Sequence, residues 1–269
     1  MSTITPATGR SGALVPVTPT GRLGGYANLV GKELSQWWRT RLWWSQVLVW
    51  VILLNGVTTV VMLTEPGVPR GDLLREVTST FLAMGAIAIG IGVVLTVQGA
   101  IVGEKELGTA AWVISKPVSR ASFIVAKLVG HGVGFLVTAL VVPAVVFTVE
   151  ASSLLSRTPT LGSFTAGLSV VALVVLFYLA LTLALGTMFA GRGPVAGIGI
   201  GVLLAGVFFK GMLPPAIVYA TPWLLGDIAG AIATSGPLDP NWYVPVVVTG
   251  FAAIVLVLVA LWRFQREEF

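Results

Sequence analysis

A chain of 269 residues that is 56% hydrophobic and 10% charged does not resemble soluble domains, in which about a quarter of residues are charged. The formal net charge is +5 and the pI about 9.9; the basic residues gather at the ends of apolar runs, which reads as anchoring at a membrane surface and against a nucleic-acid partner. With no cysteine and a single histidine, His131, disulfides, thiolate metal sites and a multi-histidine metal site within one chain are excluded.

Residues 1–23 are rich in Ser, Thr, Pro and Gly and hold no apolar stretch of signal-peptide length; they read as a disordered cytoplasmic tail. Residues 24–42 place Tyr26, Leu29, Val30, Leu34, Trp37 and Trp38 on one helical face. Asn28, Lys32, Ser35, Gln36 and Arg39 fall mostly on the other. That spacing, with tryptophans beside Lys and Arg, predicts an amphipathic helix lying in the membrane interface; the alternative is a long polar approach to the first span.

Six apolar runs follow, at about 43–63, 79–102, 128–149, 167–190, 194–209 and 243–262. About 20 apolar residues cross the hydrocarbon core as a helix. Continuous rather than alternating apolarity argues against a barrel. The expected fold is therefore all-α, a polytopic membrane protein with six transmembrane helices over residues 43–269. Twelve of the 16 Lys and Arg residues fall on one side of this arrangement, leaving Arg70, Arg75, Arg157 and Lys210 on the other. The positive-inside rule then places both termini in the cytoplasm.

Between the fifth and sixth runs, residues 212–240 are apolar but broken by Pro214, Pro215, Pro222, Pro237 and Pro240. Proline stops helices. The segment reads as two short helices dipping into the outer leaflet, the second starting at Thr221 with Pro222 in its first turn. An ordinary outer loop would be more polar.

The loop joining runs two and three, 103–123, has Glu104 and Glu106 at the exit of the second run, beside Lys105. A short apolar stretch at 110–114 follows, and then Lys116, Pro117 and Arg120 turn the chain back. Read alone, the two glutamates also suit a solvated cap near a helix end. Together, Glu104, Glu106, Gly108, Thr109, the run Pro117-Val118-Ser119-Arg120 and Lys127 resemble the membrane subunits of ABC exporters of the ABC-2 type. The entry 101–104 (Ile-Val-Gly-Glu) and the exit 127–131 (Lys-x-x-Gly-His) are similar to the branch that includes the membrane subunit of the nitrous-oxide-reductase maturation transporter. The resemblance implies that 103–123 is a coupling loop docking on a separate ATPase subunit. It further implies that Glu104 and Glu106 face basic residues of that subunit, and that Gly108, Thr109, Pro117 and Arg120 shape the loop. It implies residence in the bacterial inner membrane and a dimer of two permease copies with two ATPases, with ATP and Mg bound by the ATPase.

No Gly-x-x-x-x-Gly-Lys-Ser/Thr loop occurs in the chain, so ATP binding by that route is excluded, and no catalytic group or cofactor site is expected. Gly99 with Gly103, Gly130 with Gly134 and Gly197 with Gly201 have the small-residue spacing of tight helix contacts. Intramembrane polar residues are few: Gln46, Asn55, Gln98 and His131, with Lys210 at an outer end. Asn55, Gln98 and His131 are the candidates for a transport pathway, with interhelical hydrogen bonding as the alternative. No acidic residue is expected within a span core. A largely apolar interior favours an amphipathic, lipid-like or drug-like substrate over a small ion. The reading is an ATP-driven exporter permease. A non-transport scaffold or regulator binding a soluble partner through 103–123 is the alternative, and an ATP-independent transporter ranks behind it for want of repeated halves or several buried charges.

Overall fold

The computed structural model describes residues 25–65, 67–107 and 118–267. Gly108, Thr109 and Pro117, the stretch 110–114 and the whole N-terminal tail, 1–23, lie outside the described residues.

The described residues are mostly helical and contain no strand. A first helix, α1 (Tyr26–Trp38), precedes the bundle. Six helices have the length and apolarity to cross a membrane: α2 (Leu42–Thr64), α3 (Arg70–Glu106), α4 (Arg120–Leu155), α5 (Leu161–Met188), α6 (Arg192–Phe209) and α9 (Tyr243–Gln265). The expected six spans are therefore present. Several are longer than the apolar runs: α4 continues past 149 to Leu155, which brings Glu150 inside it. At 18 residues, α6 is about 27 Å long, close to the thickness of a hydrocarbon core. Between α6 and α9 lie α7 (Pro215–Tyr219), a 3₁₀ turn (Pro222–Leu224) and α8 (Leu225–Thr234). Consecutive spans run antiparallel. The end bearing α1, the last turn of α3 and the first turn of α4 is called proximal below, and the end bearing α7 and α8 distal.

Local chemistry sets several helix ends. Ser119, extended, begins α4 by accepting from the Ser122 N–H at 3.0 Å, a side-chain N-cap. Thr221 accepts from the Trp223 N–H, and Pro222 occupies the first helical position, where its missing N–H costs nothing. Two π turns interrupt the spans, Val51–Asn55 in α2 and Leu136–Val141 in α4. Pro143 follows the second one. Having no N–H, Pro143 cannot close an ordinary helical bond to Ala139, so the wider turn sits where the regular ladder is already broken.

The core gathers round α5, the most enclosed span; α2, α6 and α9 leave most of their apolar side chains on the outside. Lipid, not water, is the solvent for such a surface. Phe81 of α3 stacks on Phe147 of α4 at 4.7 Å, and Phe164 of α5 closes the trio. At the proximal end Phe123 stacks on Phe264 at 5.0 Å, joining α4 to α9. Helix α8 is wedged between α3 and α5: a Cβ on Gly167 would lie 2.7 Å from the Ala229 carbonyl, and one on Gly230 2.6 Å from Ser79 Oγ. Larger residues there would push α8 out of its slot.

The three glycine pairs behave differently. Side chains at Gly130 and Gly134 would overlap Glu33 and the Trp37 indole, so this pair seats α1 directly on α4. Gly99 and Gly103 make room for the Arg192 side chain rather than for a helix. Gly197 and Gly201 have nothing within 4 Å of an added Cβ, so they pack against no helix among the described residues, contrary to the expectation from their spacing. The buried stripe of α1 is Leu29, Glu33 and Trp37. Two of the six residues of the expected apolar face, Leu29 and Trp37, are thus buried against protein, and the stripe includes a carboxylate.

Candidate functional site

The described residues flanking 108–117 form a connected polar hub at the proximal end. It begins with the last turn of α3, where three consecutive charged residues reach three different places. Glu104 Oε1 accepts from Lys127 Nζ of α4 at 2.8 Å and from Lys32 Nζ of α1 at 3.3 Å. Lys105 Nζ donates to the Thr187 carbonyl of α5 at 3.2 Å and pairs with Glu267 at 2.6 Å. Glu106 Oε2 accepts from Arg192 of α6 at 3.1 Å. Successive helical positions point about 100° apart, so one turn suffices to hold four neighbouring elements.

Lys127 is the centre of this hub. It is 3% exposed, yet its ammonium donates to Glu33 Oε1 at 3.2 Å as well as to Glu104. Glu33 is 4% exposed. A buried ion keeps its charge only when it is paired and hydrogen-bonded, and one ammonium here serves two carboxylates from α1 and α3. The Phe123 ring lies 4.9 Å from the same ammonium, adding a cation–π contact. One turn further along α4, His131 Nδ1 accepts from the Trp37 indole N–H at 3.3 Å, and its Nε2 lies 4.0 Å from Glu33. Trp37 also meets Phe135 edge to face at 5.2 Å. Helix α1 is therefore locked to α4 by an ion pair, a hydrogen bond and an aromatic contact in register.

On the other side of 108–117, Arg120 donates to the carbonyls of Phe264, Gln265 and Glu267 at 3.4, 2.9 and 2.7 Å. These belong to the end of α9, where unsatisfied carbonyls and the negative end of the helix dipole attract a cation. Both described flanks of the 108–117 segment are thus clamped to the bundle. Among the described residues no group of three or more His, Cys, Asp or Glu could hold a metal ion.

The profile of the ABC-2 family transporter proteins matches residues 27–223, most of the chain. The chain belongs to the ABC-2 family. This ABC-2 protein is 24% identical over 258 residues to the "Uncharacterized transmembrane protein YxlG" of Bacillus subtilis (strain 168), covering 89% of this chain and 97% of that one. It is 30% identical over 151 residues to the "Probable ABC transporter permease protein NosY" of Pseudomonas aeruginosa, over 49% of this chain and 52% of the other. The ABC-2 protein is the membrane subunit of an ABC transporter and not itself the ATPase, and such a subunit works with an ABC ATPase partner.

Within the spans of this ABC-2 permease, the three pathway candidates are separate. Asn55, 1% exposed at the end of the α2 π turn, donates from Nδ2 to the Pro143 carbonyl at 3.0 Å and to Glu150 Oε2 at 3.2 Å. It bridges α2 to α4 beside both π turns. Gln98 folds back on the Leu95 carbonyl of its own helix at 3.0 Å, at the break between the two halves of α3. His131 belongs to the hub. Gln46 accepts from the Trp50 indole at 2.8 Å, and Lys210 pairs with Asp227 at 2.5 Å. Two acidic residues escaped the sequence reading. Glu33 sits among the apolar positions of α1, and its i, i+4 spacing with Leu29 and Trp37 was the available signal. Glu150 lies one residue past the apolar run, near the end of a helix that continues to Leu155, so it leaves the expectation of acid-free span cores untouched.

Proposed function

We propose that this chain is the transmembrane permease of an exporter, energised by a separate ATPase that engages the 103–123 loop, with α1 as part of the same transmission element. The observation that carries this reading is the hub. The turn leading into 108–117 is bonded at Glu104, Lys105 and Glu106 to α1, α4, α5, α6 and the C-terminal end. A push on the loop therefore reaches most of the bundle at one level, rather than a single span. ATP-driven closure of two ATPase subunits would move such loops together, and packed helices switch between discrete arrangements. Gly108, Thr109 and Pro117 are proposed to shape the loop, and Glu104 and Glu106 to face the ATPase while holding the hub.

The proximal end, which carries most of the basic residues, is assigned to the cytoplasm, with both termini there, in the bacterial inner membrane. Two copies form the working unit, and the open Gly197 and Gly201 face of α6 supports a second copy seated there. Amphipathic, lipid-like or drug-like substrates fit an interior with few polar groups. The test is Glu104→Gln with Glu106→Gln in the complex with its native ATPase. The proposal expects normal membrane insertion, retained basal ATP hydrolysis and loss of substrate-stimulated turnover. Unchanged stimulated turnover would remove the loop from coupling.

A further inference from the structure

At the distal end the indole of Trp223 stands between two apolar clefts. It is pinned by donating to the Val202 carbonyl at 2.9 Å and is seated against Gly206, where any side chain would overlap the ring. On one side is a cleft of about 190 Å³ lined by Ala83, Ala86, Tyr178, Leu203 and Val207. Lys210 and Asp227, themselves an ion pair, also line it. On the other side is a cleft of about 380 Å³ lined by Phe177, Leu181, Thr249, Ala252 and Leu256.

One hydroxyl in each cleft has no hydrogen-bond partner among the described residues, and that of Thr249 is itself buried. Tyr178 is 3% exposed and its hydroxyl makes no hydrogen bond among the described residues. Thr249 is 1% exposed and its Oγ1 has no partner among the described residues. Unpaired buried hydroxyls are costly, and the great majority of buried polar side-chain atoms are satisfied. Other hydroxyls in the spans, such as those of Thr138 and Thr182, bond the carbonyl four residues back, which shows the default that Thr249 forgoes. A hydrocarbon tail would leave both groups unpaired.

We propose that these clefts form a binding site for an amphiphile whose apolar body carries a hydrogen-bonding atom and whose charged or zwitterionic head meets Lys210 and Asp227. Tyr178 reads the polar atom of the body. The opposed charges of the pair match a head that carries both signs, or exchange one partner for a head of single charge. The smaller cleft takes one branch of a molecule. The larger cleft, about 380 Å³, falls by itself within the drug-sized range of about 300–1,000 Å³. The inference rests on the exporter reading for its meaning, as a substrate site, but binding itself needs neither ATP nor the partner.

The experiment uses the full chain in lipid nanodiscs, without nucleotide. The probe is a single-chain phosphocholine with an amide and a diazirine in its tail. Controls are the same probe lacking the amide and a two-chain phosphatidylcholine with the same diazirine. After photolysis, label is located by peptide mass spectrometry. The amide probe is expected to label the cleft walls around 83–87, 203–210 and 222–227 saturably, beyond either control. Tyr178→Phe, which removes one atom, should weaken saturable labelling about three- to tenfold, the weight of one hydrogen bond. Ile87→Trp, at a 41% exposed position lining the smaller cleft, should abolish it by filling the mouth without disturbing the core. Equal labelling by the two-chain lipid, or labelling indifferent to both variants, would overturn the proposal and mark the clefts as ordinary lipid-filled surface. Saturable labelling with no ATPase partner found would sink only the transporter reading.

Discussion

Removing the Lys127 ammonium tests whether the hub is a structural lock as well as a conduit. Lys127→Met keeps the aliphatic stem but leaves Glu33, 4% exposed, beside Glu104 with no ammonium between them. Breaking a buried pair by deleting one partner costs about 3–5 kcal/mol, because the remaining charge is stranded. Lys32 offsets little of this: its side chain is 50% exposed and its ammonium pairs with Glu104. Glu33→Gln is milder, since Lys127 retains Glu104 at 2.8 Å, and about 1–3 kcal/mol is expected from the altered hydrogen bond. The double variant Glu33→Met with Lys127→Met removes the stranded carboxylate, so it should recover at least half of the Lys127→Met loss, a coupling of about 2 kcal/mol in a double-mutant cycle. Reversible unfolding in mixed micelles, followed by tryptophan fluorescence, supplies the free energies. A Lys127→Met variant within 0.5 kcal/mol of the parent, or a double variant that simply sums the singles, would refute the lock.

Gly134→Ala forces a Cβ into the Trp37 indole and should cost about 1–3 kcal/mol by overpacking, whereas Gly197→Ala, with nothing within 4 Å, should leave thermal stability unchanged; equal effects would show that α1 is not seated on α4. Asn55→Leu loses bonds to Pro143 and Glu150 and should cost about 0.6–2 kcal/mol, the range of interhelical hydrogen bonds in membranes; a stability gain in unfolding assays would contradict the bridging role. The Glu106 and Arg192 pair is about half exposed on both sides, so Glu106→Gln should change stability by less than about 0.5 kcal/mol while still lowering stimulated ATP hydrolysis, and a loss confined to stability would reverse that assignment. Because the chain has no cysteine, Gly201→Cys is a single reporter for the proposed second copy: oxidative cross-linking in membranes should give a dimer band, and its absence alongside cross-linking from a cysteine elsewhere would move the interface off α6.

The spans were legible because apolar run length is a local property: each of the six runs maps to one helix, and their order and all-helical class follow directly. The hub was legible only in fragments. Glu104, Glu106, Lys127 and His131 stood out as polar residues near apolar run ends. Their connection did not, because it depends on which face of α1 lies against α4. That face includes Glu33, an acid inside an apolar pattern, and its acceptability comes from Lys127, which is 94 residues away in the chain. Glu150 was hidden for a related reason: run length by hydropathy stops at the first charge, while the helix continues and turns that charge toward Asn55. Glycine spacing likewise marked close approach without naming the partner, which proved to be a helix for Gly130 and Gly134, an arginine side chain for Gly99 and Gly103, and nothing among the described residues for Gly197 and Gly201.

The most direct test of the central claim is to purify the chain together with the products of its neighbouring genes, in a detergent that preserves complexes, and to assay ATP hydrolysis of the eluate with the parent and with Glu104→Gln plus Glu106→Gln. The account predicts that an ABC ATPase co-elutes with the parent and that the double variant loses stimulated hydrolysis while remaining in the membrane at normal levels. Elution of the well-folded chain with no ATPase, or a double variant as active as the parent, would contradict it.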